Sequence, residues 1–259
     1  MKTIVRYLPI IVGLGLGYVL WNGPGALFPS LGSYGYLVVA AGVFVLLVAF
    51  VMYLILRSLP AKVELTPLPG PPPQALVEIG HRYLALGFQP AGPAYEVGIS
   101  PPAKLIAVVH PTEPIYGTIF QTGTVPAVIG FDFVSILASG SGGLTTSADK
   151  RAGNTLARPG VFRQCFPGWP PEELLQRHRE ALAYLAQQGV ICRMVTAQGF
   201  PNDFARAFSE QRRYFLSNPL KHALTALFRT GTRSNPSVGP IWLQPAVAGE
   251  IQRVRSGTR

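Results

Sequence analysis

The sequence predicts an N-terminal two-helix transmembrane hairpin followed by an α+β domain, in which an antiparallel β-meander packs against helices. Three observations lead to this fold class. An uninterrupted run of 50 uncharged residues separates Arg6 from Arg57. A proline-rich segment, residues 59–73, follows it. Beyond residue 74, segments with strand-like composition precede segments with helical periodicity, and this order is typical of α+β domains.

Composition excludes several classes of protein. The chain of 259 residues is 48% hydrophobic and only 13% charged, about half the charged fraction of roughly 25% that is usual in soluble domains. This hydrophobic content excludes general disorder. Two cysteines exclude a disulfide scaffold and a multi-thiolate zinc motif. The composition therefore indicates a membrane-attached protein with one modest globular domain.

The uncharged run is long enough for two membrane spans. A helix needs about 20 apolar residues to cross the hydrocarbon core. We expect helices at residues 3–21 and 34–56, because Pro24 and Pro29 lie in a turn-rich segment between them. Two alternatives stay open for the first segment: a cleaved signal peptide, or a re-entrant segment.

The positive residues that flank the run predict its orientation. Lys2 lies before the first predicted helix, Arg57 follows the second, and the connecting loop carries no charge. By the positive-inside rule, both termini face the cytoplasm and the protein is a two-span protein of the cell inner membrane or plasma membrane. Gly13 and Gly17 are one helical turn apart and could allow close packing of helices, within the hairpin or in a homo-oligomer.

The rest of the chain divides at changes in composition. Residues 1–58 are the predicted hairpin. Residues 59–73 predict an extended proline-rich linker, because repeated prolines prevent a helix. Residues 74–230 predict the α+β cytosolic domain, which is large enough for its own core. Residues 231–259 are rich in glycine, serine and arginine and predict a flexible basic tail.

Within the domain, periodicity predicts each element in order. An apolar stripe predicts an opening helix at about residues 75–86. Enrichment in β-branched and aromatic residues, interrupted by glycine turns, then predicts strands at 95–100, 104–110, 115–121, 128–138 and 144–147. Segments of helical length are absent between these strands, which disfavours a parallel sheet.

The last third of the domain predicts helices. Pro171, Glu172 and Glu173 favour a helix start, and leucines at helical spacing continue to Gly189. A short strand is expected at 190–195. Asn202 and Asp203 can cap a further helix, and Asn218 can cap its continuation.

Part of this domain resembles a known module. The run Leu144-Thr145-Thr146-Ser147, a basic connection, and a helix carrying Gln176-Arg177-His178-Arg179 look like a module of unknown function found in bacterial membrane-associated proteins. The resemblance covers about residues 131–185. Because no activity is attached to that family, the resemblance implies no catalytic residue.

Two residues are candidates for chemistry. His178 lies on the apolar stripe of its helix, which is typical of a buried core histidine or, alternatively, of a general base facing a pocket. Asp132 lies between Phe131 and Phe133 and should point to the sheet face opposite both aromatic rings. A solvated strand face explains it, and a paired acid/base site is the alternative. The spacing of the four histidines predicts no metal site, and no motif predicts a cofactor.

Positive charge is the strongest functional signal. Beyond residue 56 the chain carries 20 basic and 12 acidic residues, a net charge of +8. One basic cluster covers residues 150–163. A second follows the last predicted helices and forms a candidate surface for lipid head groups or a protein partner: Arg206, Arg212, Arg213, Lys221 and Arg229. Nucleic acid is disfavoured, because aromatic residues do not alternate with these cations.

Taken together, these patterns predict a non-enzymatic, membrane-anchored module that binds the inner leaflet or a protein partner. A cation near anionic lipid contributes roughly 1 kcal/mol to binding. The alternative is a membrane-bound enzyme with a site near His178 and Asp132. A solvated basic face without a ligand explains the charge equally well.

Overall fold

A computed structural model describes residues 34–99, 102–123, 128–149, 158–231 and 239–257. The chain divides into two units, Met1–Tyr53 and Leu54–Arg259. The described helices are α1 (Gly35–Ser58), α2 (Gln74–Ala85), α3 (Pro171–Gln187), α4 (Phe200–Ser217), α5 (Pro219–Gly231) and α6 (Pro245–Ser256), with a 3-10 helix at Ile241–Leu243. The strands are β1 (Leu65–Pro67), β2 (Gln89–Pro90), β3 (Tyr95–Val97), β4 (Ala103–Val109), β5 (Tyr116–Thr122), β6 (Val128–Ile136), β7 (Gly143–Ser147) and β8 (Val161–Cys165).

Helix α1 is the apolar segment that the sequence predicts. Its 22 residues from Leu37 to Ser58 are long and apolar enough to cross a membrane, and only 6% of its most apolar stretch is buried. Within the residues that the structure describes, no other helix meets this criterion. The predicted first helix, with Gly13 and Gly17, lies outside the described residues. One apolar helix is therefore present, and the two-helix hairpin stays a prediction.

The domain is an α+β fold built on a mixed, mostly antiparallel sheet. The described residues form eight strands, seven of them in the order β1-β3-β4-β5-β6-β7-β8, while β2 pairs with β4. The antiparallel pairing from β3 to β7 agrees with the predicted meander. The prediction is wrong at its end, because β8 was not expected and pairs with β7 in parallel. The sequence separation between Ser147, the end of β7, and Val161, the start of β8, is about the dozen residues that a parallel connection requires.

The sheet begins inside the predicted linker. Strand β1 pairs with β3 through Leu65 and Val97, and Val63 is buried in the core. Residues 59–73 are therefore not only an extended spacer. Prolines prevent a helix here, as expected, but an edge strand tolerates a proline such as Pro67.

Helices cover both faces of the sheet. One face of the sheet packs against α2 and α3 through buried residues such as Leu76, Phe133 and Leu174, and we call it the α3 face. The opposite face packs against the aromatic residues at the start of α4, such as Phe200, and we call it the α4 face. Because side chains alternate along a strand, successive residues of β6 belong to different faces.

The described part of the predicted flexible tail, residues 239–257, is instead part of the fold. The 3-10 helix and α6 bury Ile241, Val247 and Ile251 in the cluster that contains Leu144 and Leu185. The expectation was wrong because it followed the Gly-, Ser-, Pro- and Arg-rich composition, although Val247, Ile251 and Val254 are spaced as on one face of a helix. Likewise, the strand expected at 190–195 reduces to a single bridge from Cys192 to Leu137.

The packing of α6 can be tested by one pair of substitutions. Val247 is 6% exposed, whereas Leu243 in the same segment is 73% exposed. We expect Val247→Ala to lower the free energy of unfolding by about 1–2 kcal/mol, through lost burial and an incompletely filled cavity. Leu243→Ala should change it by less than about 0.5 kcal/mol. Denaturant unfolding of the full chain in detergent measures both changes in free energy. If the two substitutions had equally small effects, the packing of α6 against the domain would be contradicted.

Candidate functional site

His178 lies in a closed polar network on the α3 face. Its side chain is fully buried, with Nε2 2.8 Å from Ser135 Oγ and Nδ1 2.8 Å from Thr146 Oγ1. Burial lowers the pKa of His178 to about 3, and the positive charge of Arg179 contributes in the same direction. The imidazole is therefore neutral at physiological pH, and both ring nitrogens already have partners.

Gln164 extends this network to the C-terminal segment. Its Nε2 donates to Thr146 Oγ1 at 2.8 Å and to the carbonyl oxygen of Arg177 at 2.9 Å. The backbone N–H of Ile241 donates to Gln164 Oε1 at 3.3 Å. Buried polar groups stabilise a fold only when they are hydrogen-bonded, and this network satisfies each of these side chains. The arrangement favours the core-histidine interpretation of His178.

Asp132 lies on the other face of β6 and lines a cavity. The cavity has a volume of about 360 Å³ and lies between the α4 face of the sheet and helix α4. Its walls are mainly apolar and include Val134, Ile136, Val161, Phe200, Phe204 and Phe208. The apolar stripe of α4, which the sequence shows, thus covers the strand face that was expected to be solvated.

The carboxyl group of Asp132 is in an unusual environment. Burial raises the pKa of Asp132 to about 7, and the charge of Asp149 contributes in the same direction. A hydrogen bond with the Ser147 side chain and the charge of Arg163 act in the opposite direction. Within the described residues, Asp132 Oδ1 is enclosed and has no hydrogen-bond partner. The group titrates near neutrality and retains an unused acceptor.

A second carboxyl group of the cavity is fully paired. Asp203 Oδ2 lies 3.0 Å from the Tyr116 hydroxyl, and Asp203 Oδ1 forms an ion pair with Arg193. Burial and the charge of Asp203 raise the pKa of Tyr116. The Tyr116 hydroxyl also lies 2.9 Å from the carbonyl oxygen of Thr196. The sequence marked Asp203 only as a helix cap, and nothing in the local pattern indicated its contact with Tyr116.

Two arginines of the first basic cluster also line the cavity. Arg158 forms an ion pair with Glu210 at 2.6 Å, with both side chains largely buried. Burial lowers the pKa of Arg163 to about 10, and the charge of Arg158 contributes to this shift. The Arg163 guanidinium therefore remains charged at neutral pH. The lining therefore combines two guanidinium groups with two carboxyl groups.

The two candidate residues for chemistry do not share a site. Asp132 and Ser135 both contribute to the cavity lining, but the Ser135 hydroxyl is directed to His178 on the α3 face. The sheet itself separates His178 from the cavity. The enzymatic alternative required a polar cleft that joins His178 and Asp132, and the geometry does not provide it.

The predicted basic surface divides into separate groups. Arg206 and Arg213 line a second cleft of about 680 Å³, which also includes Glu210, Glu250 and Arg253. Arg212 points elsewhere and donates from Nη1 to the carbonyl oxygen of Leu59. Lys221 is exposed on α5, and Arg229 lies where side chains are not described.

The described residues contain no group of three or more His, Cys, Asp or Glu side chains that could hold a metal ion. Comparisons with protein-family models, curated proteins and solved structures find no match for this chain.

Proposed function

We propose that this protein is a non-enzymatic binding module, anchored in the cell inner membrane or plasma membrane, whose α4–α5 region contacts anionic lipid head groups. In this proposal two spans leave both termini in the cytoplasm. The described apolar helix, the neutral N-terminal run and the basic flanking residues support the anchoring.

One contact carries the proposal. Leu59 directly follows helix α1, and its carbonyl oxygen accepts a hydrogen bond from Arg212 on α4. The C-terminal part of α4 therefore lies beside the residue at which the chain leaves the apolar helix. If α1 spans the bilayer, residues that adjoin Leu59 lie near the level of the head groups.

The surface beyond Arg212 suits this position. Leu216 and Leu220 are 48% and 56% exposed at the junction of α4 and α5, and the cationic Lys221, which directly follows Leu220, is exposed as well. Exposed leucines can enter the interfacial region, while cations contact phosphate groups and contribute roughly 1 kcal/mol each. The lipid contact is thus local to the α4–α5 junction rather than spread over all the predicted cations.

Site-specific fluorescence tests this contact in the full chain. An environment-sensitive dye is attached at Leu220→Cys, with Leu243→Cys as the control, both in a Cys192→Ser background. Leu243 is equally suitable for labelling, since it is 73% exposed. The protein is placed in nanodiscs of phosphatidylcholine alone or with phosphatidylserine.

We expect the dye at position 220 to shift to shorter wavelength, and to be quenched by spin-labelled lipid, in anionic nanodiscs at low salt. High salt should reverse much of this change, because screening weakens exposed charge interactions. The dye at position 243 should not respond. Identical spectra at position 220 in neutral and anionic nanodiscs would contradict the proposal.

A further inference from the structure

The cavity on the α4 face has the properties of a small-molecule site. Its volume of about 360 Å³ falls within the range of about 300–1,000 Å³ that is common for such sites. Apolar side chains form most of its wall, and a few polar groups converge on it. An apolar ligand body would contact Phe204 and Phe208 on one side and Val134 on the other.

The polar groups of the cavity indicate which polar group a ligand should carry. Asp203 is paired with Arg193 and Tyr116, and Arg158 is paired with Glu210. In contrast, Asp132 Oδ1 has no partner in the described part of the chain, although the Asp132 side chain lines the cavity. The terminal torsion of an aspartate is soft, so this oxygen can turn toward a ligand. A ligand that donates a hydrogen bond would satisfy it.

The charged side chains in the cavity lining further restrict which hydrogen-bond donor the ligand can carry. A cationic ligand would lie near the guanidinium groups of Arg158 and Arg163, and an anionic ligand would lie near the carboxyl groups of Asp132 and Asp203. With two groups of each sign in the lining, a neutral donor meets the least repulsion. A hydroxyl group meets this requirement.

The position of the cavity indicates a source for such a molecule. Leu59, the first residue after α1, contributes to the lining. We propose that this cavity binds an apolar alcohol that is dissolved in the membrane, with its hydroxyl group donating to Asp132 and its hydrocarbon body against Phe204 and Phe208. This inference rests on the proposed membrane anchoring and adds a ligand class to it.

Photolabelling of the full chain tests the proposal. The probe is dodecanol that carries a diazirine, compared with the amine and the carboxylate of the same length and diazirine position. Each probe is irradiated with detergent-solubilised protein, and the labelled peptides are identified by mass spectrometry. We expect the alcohol to label peptides that contain Phe204 or Phe208, and unlabelled dodecanol to compete.

Two variants and one control locate the hydroxyl contact. Asp132→Val removes the acceptor and should reduce labelling by the alcohol roughly tenfold, the equivalent of one strong hydrogen bond. Val134→Phe should abolish labelling by filling the cavity. Glu173→Gln alters an exposed carboxylate on α3 and should leave labelling unchanged. Unfolding curves establish that each variant is folded, and Asp132→Val decides the question if Val134→Phe does not fold.

Preferential labelling by the amine or the carboxylate would overturn the proposal. Equal labelling by all three probes, with no effect of Asp132→Val, would also overturn it, because the cavity would then select only for apolar bulk. The fluorescence of position 220 is independent of this result. Cavity labelling without a response at position 220 would contradict only the head-group contact.

Discussion

The variant His178→Ala is expected to lower the free energy of unfolding by about 3–5 kcal/mol. Removal of the imidazole takes away the partner of the buried Ser135 hydroxyl and leaves Thr146 with only its bond from Gln164, at roughly 1–3 kcal/mol for an unsatisfied buried group. It also leaves a cavity beneath α3. Denaturant unfolding of the full chain in detergent, followed by the fluorescence of Trp169 and Trp242, measures this loss.

His81 provides the matched control. It lies exposed on α2, and His81→Ala should change the free energy of unfolding by less than about 0.5 kcal/mol. A loss of similar, small size for both variants would show that the network around His178 does not contribute to stability. A large loss confined to His178→Ala would support a structural role for this residue.

The second large effect is on the free energy of unfolding as a function of pH, to which His178 and Asp132 contribute in opposite directions. Burial keeps the folded-state pKa of His178 at about 3, below the value of about 6.5 in an unfolded chain. The stability from neutral His178 is therefore present above about pH 6.5 and is lost as the pH falls. For Asp132 the folded-state pKa is about 7, above the unfolded value of about 3.9. Its contribution is present at low pH and is lost as the pH rises toward 7.

Two variants separate these contributions. Relative to the wild-type chain, Asp132→Asn should be more stabilising at about pH 8 than at about pH 5, by roughly 2–3 kcal/mol, because it removes a carboxylate that ionises while buried. The stability deficit of His178→Ala should shrink by about 2 kcal/mol over the same change from pH 8 to pH 5.

Unfolding curves at both pH values give these differences directly, and comparison with the wild-type chain cancels the titration of other groups. Glu173→Gln, which alters an exposed carboxylate on α3, is the matched control for Asp132→Asn. If the effect of Asp132→Asn were independent of pH, Asp132 would not titrate in the folded state as its burial implies.

Strand alternation predicted the orientation of Asp132 but not its surroundings. Its position between Phe131 and Phe133 placed it correctly on the face opposite the ring of Phe133. The prediction of a solvated face failed because the cover comes from α4, some 70 residues later in the sequence. Local patterns report which face a residue occupies, whereas long-range packing decides what lies against that face.

The ends of the domain show the same limit. The central strands β4 to β7 and helices α2 to α5 have strong local periodicity, and they form close to where the sequence predicts them. Strand β1 is too short for periodicity to indicate its burial. At the other end, the polar and Gly-rich composition outweighed the helical spacing of Val247, Ile251 and Val254. Composition alone suggested a spacer and a tail, and tertiary contacts incorporated strand β1 and residues 239–257 into the fold.

The candidate site was only partly visible in the sequence. His178 was correctly placed on an apolar stripe, and burial in a hydrogen-bonded network follows from that position. The ion pairs of Arg158 and Arg193 join residues that no motif relates. The basic cluster did not form one surface, because Arg206 and Arg212 point to different sides of α4.

Membrane integration of the full chain is the central claim, and extraction tests it most directly. Cell membranes that contain the protein are washed with alkaline carbonate and floated through a density gradient without detergent. The protein should float with the lipid, because a helix with the length and composition of Leu37–Ser58 is stable in hydrocarbon and not in water. Recovery of the full-length protein in the aqueous supernatant would contradict the proposed anchoring and, with it, the head-group contact at the α4–α5 junction.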